Sequence, residues 1–265
     1  MRLRLATGPV SWGVDFAGAP ANPPWHEVVD GVAAAGYRWT ELGPLGYLPP
    51  EADEELRRRG IGVTGGFVFE PLLDRERTLA AARATAARIA RAGGRFLVII
   101  DAVDPGAQGL DRAGRHALAR TVLAVAKVAR DHGLRAVVHP HAGTHVEHAD
   151  EIELLLELCE LCLDTGHIAY AGGDPVALYR RWAERIPYLH IKDVDPARRD
   201  GDFWGSVRAG VFRRLGEGVV DLGGLLAALA EHHFDGWAVV EQDRAPGGDP
   251  VADLVAGRRA LEALL

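Results

Sequence analysis

The motif LCLDTGH at residues 161–167 sets a carboxylate and an imidazole directly after a short apolar run. Asp164 and His167 are residue types that bind divalent cations or transfer protons near neutral pH. A structural role is the alternative, because Asp164 could cap the turn that follows the run. Whether other apolar runs end in the same way distinguishes the two interpretations.

Ionisable residues end or closely follow most of the other apolar runs of the chain. They are Glu41, Asp101, His139, His141, His190, Lys192, Asp193, Glu241 and Asp243. Carboxylates and imidazoles gathered in one small volume repel one another and lose hydration unless a counter-charge is present. A divalent cation supplies it, and ligation by Asp, Glu and His without a thiolate suits manganese, cobalt, magnesium or zinc. The sequence therefore predicts a metal site wherever the fold gathers the ends of these runs.

The apolar runs have the length of β-strands and alternate with segments of helical period. The predicted strands cover residues 3–12, 37–42, 61–69, 95–101, 134–139, 160–164, 187–192 and 237–241. The predicted helices cover residues 24–35, 51–59, 74–92, 111–132, 149–158, 174–186, 221–233 and 250–265. The strands are apolar on both faces, as in a parallel sheet that helices cover.

Eight strand–helix units in about 250 residues are typical of a closed (β/α)₈ TIM barrel. We predict an α/β fold of this class, as a single domain over residues 1–265. A doubly wound open sheet is the alternative, but it would need a phosphate loop such as GxGxxG or GxxxxGKS/T, which the sequence lacks. In a barrel, the carboxyl ends of the strands share one rim, where the active site lies.

Composition narrows the range of partners. The 265 residues carry a formal net charge of −7 and the arginines are scattered over helices, so we expect no nucleic-acid partner. No run approaches the roughly 20 apolar residues that span a bilayer, and the first residues lack a secretory pattern, so we expect no membrane partner. Cys159 and Cys162 form a lone CxxC, which favours two buried thiols in a reducing cytoplasm over a zinc site.

Residues 194–220 exceed an ordinary connection of about 2–6 residues, so we expect a lid or a contact in a homo-oligomer.

Three motifs carry a resemblance that covers almost the whole chain. LCLDTGH at 161–167, LHIKD at 189–193 and VVE at 239–241 occur in the order and at the spacing of the xylose-isomerase-like barrel superfamily of sugar isomerases, epimerases and dehydratases. Within that superfamily, the chain is most similar to inosose (2-keto-myo-inositol) dehydratases. VVHPHAGTHVE at 137–147 and GEGVVD at 216–221 support this likeness.

The resemblance implies a divalent cation held by side chains from four strands. The superfamily's motif positions correspond here to Asp164, His190 and Glu241. The fifth strand offers histidines where the superfamily has a glutamate, so we expect His141 as the fourth ligand, with His139 and Glu147 as alternatives. Manganese or cobalt is the favoured ion, and magnesium or zinc would also suit the ligands.

The resemblance also implies removal of a proton next to a substrate carbonyl. The cation would act as a Lewis acid and stabilise the developing enediolate. If the β hydroxyl group then leaves, the enzyme is a dehydratase of a keto-polyol such as an inosose; if the proton returns to the neighbouring carbon, it is a keto-sugar isomerase or epimerase. The candidate acids and bases are Glu41, His139, Glu147 and Lys192. The candidate substrate contacts are Trp12, His167 and Trp204, with Phe69 as a further aromatic wall.

The loop GVDFAGAPANPP at residues 13–24 departs from the dehydratase pattern and leaves the choice of substrate open. Two other classes also share this type of barrel. An abasic-site endonuclease would need more histidine and glutamate ligands and a basic groove, which the net charge of −7 disfavours. A barrel that only binds sugar would need no metal ion.

Overall fold

The computed structural model describes residues 1–103, 109–243 and 248–265. The strands are β1 (Arg2–Ala6), β2 (Trp39–Thr40), β3 (Gly62–Val63), β4 (Gly65–Glu70), β5 (Phe96–Asp101), β6 (Arg135–Val138), β7 (Glu160–Asp164), β8 (Tyr188–Ile191), β9 (Asp193–Val194), β10 (Phe212–Arg213) and β11 (Asp235–Val240). The helices are α1 (Trp25–Ala34), α2 (Ala52–Arg58), α3 (Arg75–Arg91), α4 (Arg112–Asp131), α5 (Ala149–Leu156), α6 (Thr165–Tyr170), α7 (Pro175–Trp182), α8 (Phe203–Arg208), α9 (Leu222–Glu231) and α10 (Pro250–Glu262). Short 3₁₀ helices lie at Pro9–Trp12, Ala183–Arg185 and Pro196–Arg198.

Seven strands form one curled parallel sheet in the order β1, β11, β8, β7, β6, β5, β4. The short parallel pair β2–β3 joins the two edges of this sheet. Thr7, just after β1, forms a bridge with Thr40 in β2, and the N–H of Thr64, between β3 and β4, donates to the Thr40 carbonyl at 2.9 Å. The predicted (β/α)₈ TIM barrel is therefore confirmed.

Several elements differ in length from their predicted ranges. β1 ends at Ala6, and residues Pro9–Trp12 form a 3₁₀ helix because Pro9 lacks the N–H that a strand would contribute. The helix that begins at Pro175 ends at Trp182 and continues as a 3₁₀ turn. The helix α6, which begins directly after β7, has no counterpart among the predicted elements.

Buried side chains fill two regions of the barrel. Most apolar residues pack between the strands and the surrounding helices. Inside the barrel, the Phe96 ring stacks on Tyr188 at 4.4 Å between centroids, and Trp237 meets Phe96 edge-on at 6.0 Å. Cys159 and Cys162 are free and buried, as predicted. Among the described residues, no helix is both long and apolar enough to cross a membrane.

The long segment after β8 folds against the rim of the barrel. β9 and β10 pair in antiparallel fashion, and α8 lies between them in the chain. Phe203 and Trp204 of α8 line the central cavity, so the segment covers one side of it. The predicted subunit contact of residues 194–220 stays a prediction.

Candidate active site

A cavity of about 660 Å³, open mouth included, lies at the carboxyl ends of the barrel strands. The polar residues that line it are Asp15, His139, His141, His190, Lys192, Glu241 and Asp243. The other lining residues are Val10, Gly13, Phe67, Phe69, Ile100, Phe203, Trp204 and Val207. Polar groups beside an aromatic wall suit a small polyhydroxylated ligand, because rings pack on its C–H faces while polar atoms bind its hydroxyl groups.

His190, in β8, lies between two buried carboxylates. Its Nε2 is 3.1 Å from Oε1 of Glu41, an oxygen that also accepts a hydrogen bond from the Tyr188 hydroxyl at 2.8 Å. A carboxylate only accepts, so Nε2 carries a proton and Nδ1 is left to bind a second proton or a cation. Nδ1 lies 3.2 Å from Oε2 of Glu241 and 3.8 Å from Oδ2 of Asp164, without the geometry of a hydrogen bond. Carboxylate oxygens of both Glu241 and Asp164 therefore lie near Nδ1 of His190.

Asp164 ends β7 and has two sets of contacts. Its Oδ1 accepts a hydrogen bond from the backbone N–H of His167 at 2.8 Å and so caps α6. Its Oδ2 is 3.1 Å from Nε2 of His139 and 3.5 Å from Nζ of Lys192. Burial would raise the pKa of Asp164, but the Lys192 ammonium and the neighbouring histidines hold it well below its usual range. The carboxyl group is ionised, and its capping role is compatible with a role in the site.

The Lys192 side chain brings a positive charge into the cluster. Its Nζ lies 2.9 Å from Oδ1 of Asp243 and 3.4 Å from Oε2 of Glu241. Burial would lower the pKa of Lys192, but the carboxylates of Asp243, Asp164 and Glu241 raise it well above its ordinary value. Lys192 is therefore a donor of hydrogen bonds or of a proton, and it cannot act as a base near neutral pH.

The surroundings of His190 fit a divalent cation. Burial would lower the pKa of His190, but Cys162 and the carboxylates of Glu241 and Glu41 raise it well above its ordinary value, so the ring holds a second proton when no cation is bound. This imidazolium and the Lys192 ammonium are two positive charges beside four carboxyl groups, those of Glu41, Asp164, Glu241 and Asp243. In the described part of the chain, no group donates a hydrogen bond to Oε2 of Glu41 or Oε1 of Glu241, although both atoms are buried. Buried carboxylate oxygens are costly without a donor or a cation. Gly8 keeps space beside this centre, since a Cβ there would lie 3.3 Å from Oε1 of Glu241.

Three histidines lie on the other side of Asp164. The His141 and His167 rings are 4.0 Å apart between centroids, and the His139 ring meets the His167 ring edge-on at 5.3 Å. Nδ1 of His167 accepts a hydrogen bond from the Ala142 N–H at 3.1 Å, and Nδ1 of His141 donates to the Ala142 carbonyl at 2.9 Å. Burial and then His139 lower the pKa of His141 to about 3, while burial and then His141 hold the pKa of His167 well below its usual range. Both rings are neutral near pH 7.

The structure brings most of the predicted site residues together at the barrel rim. They are Glu41, His139, His141, Asp164, His167, His190, Lys192, Trp204 and Glu241. His141 lines the cavity. Among the described residues, two groups of three side chains have ligand atoms close enough to hold one metal ion, and His141 belongs to neither group. Those groups are His139 with Asp164 and His167, and Glu41 with His190 and Glu241.

Glu147 and Trp12 are not among the described residues that line the cavity. The Glu147 carboxylate lies 4.0 Å from Nε2 of His148, at the start of α5. The Trp12 ring packs on α1 over Gly31, where a Cβ atom would clash with it. A side chain near a strand end points into the barrel mouth or onto a neighbouring helix, and the sequence motif does not distinguish these directions.

Asp15 and Phe203 line the cavity but are absent from the predicted residues, and Asp243 is predicted only as one of the strand-end residues, without a role. Burial and then the charge of Asp243 raise the pKa of Asp15 to about 7. Asp15 belongs to an irregular loop without hydrophobic period, so no periodic pattern predicts its position. The one signal in the sequence is that this loop departs from the dehydratase pattern. Asp243 carries the clearer signal, since it lies two residues after Glu241 and three after the end of β11.

A TIM barrel with a buried cluster of carboxylates, imidazoles and lysine at the carboxyl ends of its strands has the architecture of a barrel enzyme. Residues 29–264 match the family described as xylose isomerase-like TIM barrel. The chain belongs to this family.

The proteins to which the chain is similar include named enzymes. The inosose dehydratase of Geobacillus kaustophilus (strain HTA426) is 32% identical, over 92% of this chain and 88% of the relative. Among solved structures, D-allulose 3-epimerase from Methylomonas sp., in complex with D-allulose, superposes with a TM-score of 0.77 at 17% identity, over 100% of this chain and 98% of the other. The IOLI protein, solved with a zinc atom, superposes with a TM-score of 0.77 at 14% identity, over 98% and 97% of the two chains.

Proposed function

We propose that the chain is a divalent-metal-dependent dehydratase that acts on a keto-polyol, with inosose (2-keto-myo-inositol) as the first candidate. The observation that carries this proposal is the convergence of His190 Nδ1 with carboxylate oxygens of Glu241 and Asp164, at 3.2 and 3.8 Å, beside the cavity. The name of the 32% identical relative supports the substrate, and the zinc of the IOLI protein supports a cation.

Asp164, His190 and Glu241 would hold the cation in this proposal. Glu41 would fix the ring of His190 through its Nε2, in the way that carboxylates commonly orient metal-binding histidines. A divalent cation supplies Lewis-acid polarisation of a substrate oxygen and stabilises the negative charge that develops when the neighbouring proton leaves. Of the three strand-five candidates, His139 is the one within hydrogen-bond distance of Asp164, and we assign it a role in holding that carboxylate.

His139 would be the base and Lys192 the acid. Nε2 of His139 donates to Asp164, which leaves a lone pair on Nδ1, an atom that no described residue contacts by a hydrogen bond. Burial lowers the pKa of His139, so the ring is neutral and can take the proton next to the carbonyl. The Lys192 ammonium gives a proton to the β hydroxyl, which leaves as water while the C–H electron pair forms the new double bond. Glu147 has no part in this scheme.

A keto-sugar isomerase or epimerase is the second candidate. The D-allulose 3-epimerase structure superposes over the whole chain. Inversion at a carbon next to a ketone would use the same metal site and the same first step, which is removal of the proton on that carbon. The two candidates differ only after that step, in whether the hydroxyl group leaves or the proton returns.

The deciding experiment is incubation of the manganese- or cobalt-loaded protein with 2-keto-myo-inositol, followed by ultraviolet absorbance of the conjugated enone product. We expect absorbance to rise with the wild type and to stay flat with Glu241→Gln. Deuterium uptake from solvent into the recovered substrate without any enone would overturn the dehydratase proposal and support the second candidate. Neither signal with any keto-polyol or ketose tested would contradict both.

A further inference from the structure

We propose that Asp15 selects the substrate by accepting hydrogen bonds from two adjacent hydroxyl groups of a neutral polyol. This inference rests on the proposed function for the class of ligand, and it adds a specificity residue outside the predicted site. Asp15 belongs to the loop of residues 13–24, the segment that departs from the dehydratase pattern.

The Asp15 side chain lines the cavity together with Lys192, Glu241 and Asp243. Among the residues that the structure describes, none donates a hydrogen bond or an ion pair to its carboxylate. The neighbouring Lys192 ammonium is instead bound by both oxygens of Asp243, at 2.9 and 3.1 Å. Both oxygens of Asp15 are therefore available to a ligand in the cavity.

The loop holds Asp15 in place from both sides. Gly13 ends the preceding 3₁₀ helix with φ of 77°, a conformation that favours glycine, and Val14 is fully buried. After Asp15, the Phe16 ring lies 5.9 Å from that of Phe69 and 6.5 Å from that of Trp204, between centroids. This loop therefore presents the carboxylate on a fixed backbone.

Two hydrogen bonds from the Asn22 side chain also hold the backbone of this loop. Nδ2 of Asn22 donates hydrogen bonds to the carbonyl oxygens of Phe16 and Ala17, at 2.7 and 3.1 Å. Because the acceptor is held before the ligand arrives, binding does not have to order the loop, which is how a fixed polar group contributes to specificity.

The charge around Asp15 selects the kind of ligand. Asp243 and Glu241 lie near it, and the Lys192 ammonium beside them is already bound by Asp243, so this wall of the cavity disfavours an anionic group such as a phosphate. The two oxygens of a carboxylate match two adjacent hydroxyl donors, and Phe69, Phe203 and Trp204 offer flat surface to the C–H face of a ring. A neutral cyclic polyol satisfies both requirements.

The experiment compares wild type, Asp15→Asn and Asp15→Ala, with Asp150→Asn as the matched control because the Asp150 side chain is 70% exposed on α5. Calorimetric titration with myo-inositol and with each monodeoxy-inositol measures binding apart from turnover, and kinetics with 2-keto-myo-inositol give kcat and KM. A circular dichroism melt checks that each variant is folded. Asp15→Ala should weaken polyol binding and raise KM about 10- to 100-fold, as for loss of two hydrogen bonds.

The deoxy compounds test the contact itself. A monodeoxy-inositol that lacks a contacted hydroxyl should bind wild type about 10- to 100-fold more weakly than myo-inositol, but bind Asp15→Ala as well as myo-inositol does. Equal affinity of wild type and Asp15→Ala, or equal losses for every deoxy compound in both proteins, would overturn the role of Asp15. Asp15-dependent binding without turnover would refute the dehydratase and leave this inference standing. A folded wild type that binds none of the polyols would refute both.

Discussion

At the scale of single residues, the position of His190 depends on a chain of buried hydrogen bonds. The Tyr188 hydroxyl donates to Oε1 of Glu41 at 2.8 Å, and the same oxygen accepts from Nε2 of His190 at 3.1 Å. The tautomer that results directs Nδ1 toward Glu241 and Asp164. Glu41 therefore acts on the candidate cation site through a histidine.

We predict that Glu41→Gln weakens manganese binding by about 10- to 100-fold, because the amide no longer offers a charged acceptor to the His190 ring. Titration with a fluorescent metal-buffer system measures the affinity. Tyr188→Phe is the control for packing, since it keeps Glu41 and removes one donor, and we expect a smaller loss. Wild-type affinity in Glu41→Gln would show that the His190 tautomer does not control the site.

At the scale of elements, one carboxylate joins two of the sequence motifs. Asp193 accepts hydrogen bonds from the backbone N–H groups of Gly216, Gly218 and Val220, at 2.8, 2.9 and 3.0 Å. This carboxylate ties the segment of β9 and β10 to the barrel and occupies the glycine-containing loop that could otherwise bind a phosphate. LHIKD and GEGVVD therefore form one structural unit.

Asp193→Ala should lower the free energy of unfolding by about 2–4 kcal/mol, because the N–H groups of Val194, Gly216, Gly218 and Val220 lose their acceptor, and those of Val194 and Val220 are buried. Urea unfolding followed by circular dichroism measures the change. Asp195→Ala is the matched control, since Asp195 caps only an exposed 3₁₀ turn, and its expected cost is about 1 kcal/mol. Equal costs for the two variants would refute the anchoring role of Asp193.

Gly166, within α6, lets that helix pack closely on Lys192, which lies between β8 and β9. A Cβ atom there would lie 2.6 Å from the Cβ of Lys192 and 2.9 Å from the Phe212 ring. We predict that Gly166→Ala costs about 1–3 kcal/mol of stability through this overpacking and also lowers turnover, since Lys192 must move. The control is Ala169→Gly, on the same helix. Gly172→Ala would not serve as a control, because Gly172 has φ of 86°, a conformation that favours glycine. Unchanged stability and kinetics in Gly166→Ala would contradict the close contact.

At the scale of the whole molecule, the closed barrel concentrates negative charge at one rim. Glu41, Asp164, Glu241 and Asp243 lie at the ends of three strands, β2, β7 and β11, and only the tertiary fold brings these ends together. A cation that binds this cluster binds the folded state and not the unfolded chain, so it should stabilise the entire barrel.

Manganese at about 100 times its dissociation constant should add about 2.7 kcal/mol to the free energy of unfolding, or about 5–10 °C in Tm for a domain of this size. Differential scanning calorimetry with manganese and with a chelator measures the shift. The Glu241→Gln variant should show little of it. A wild-type Tm that is the same in both conditions would speak against a cation at the rim.

The barrel and most of its site residues follow from the sequence, because parallel strands joined by helices must end at one rim. That rule alone gathers Glu41, His139, Asp164, His190 and Glu241. The N-caps of α3 and α7 can also be predicted from the sequence, because Asp74 and Asp174 each accept hydrogen bonds from N–H groups within three residues.

The tertiary structure decided which of these candidates meet, because the direction of a side chain beyond a strand end depends on packing rather than on local pattern. Glu147 and Trp12 do not line the cavity and contact His148 and Gly31 instead, whereas Asp15 lines it from a loop without hydrophobic period. The short β2–β3 pair that closes the barrel also depends on contacts between residues far apart in the chain. The same is true of the ion pairs between Lys192 and three carboxylates. Long-range contacts of this kind leave no periodic signal in the sequence.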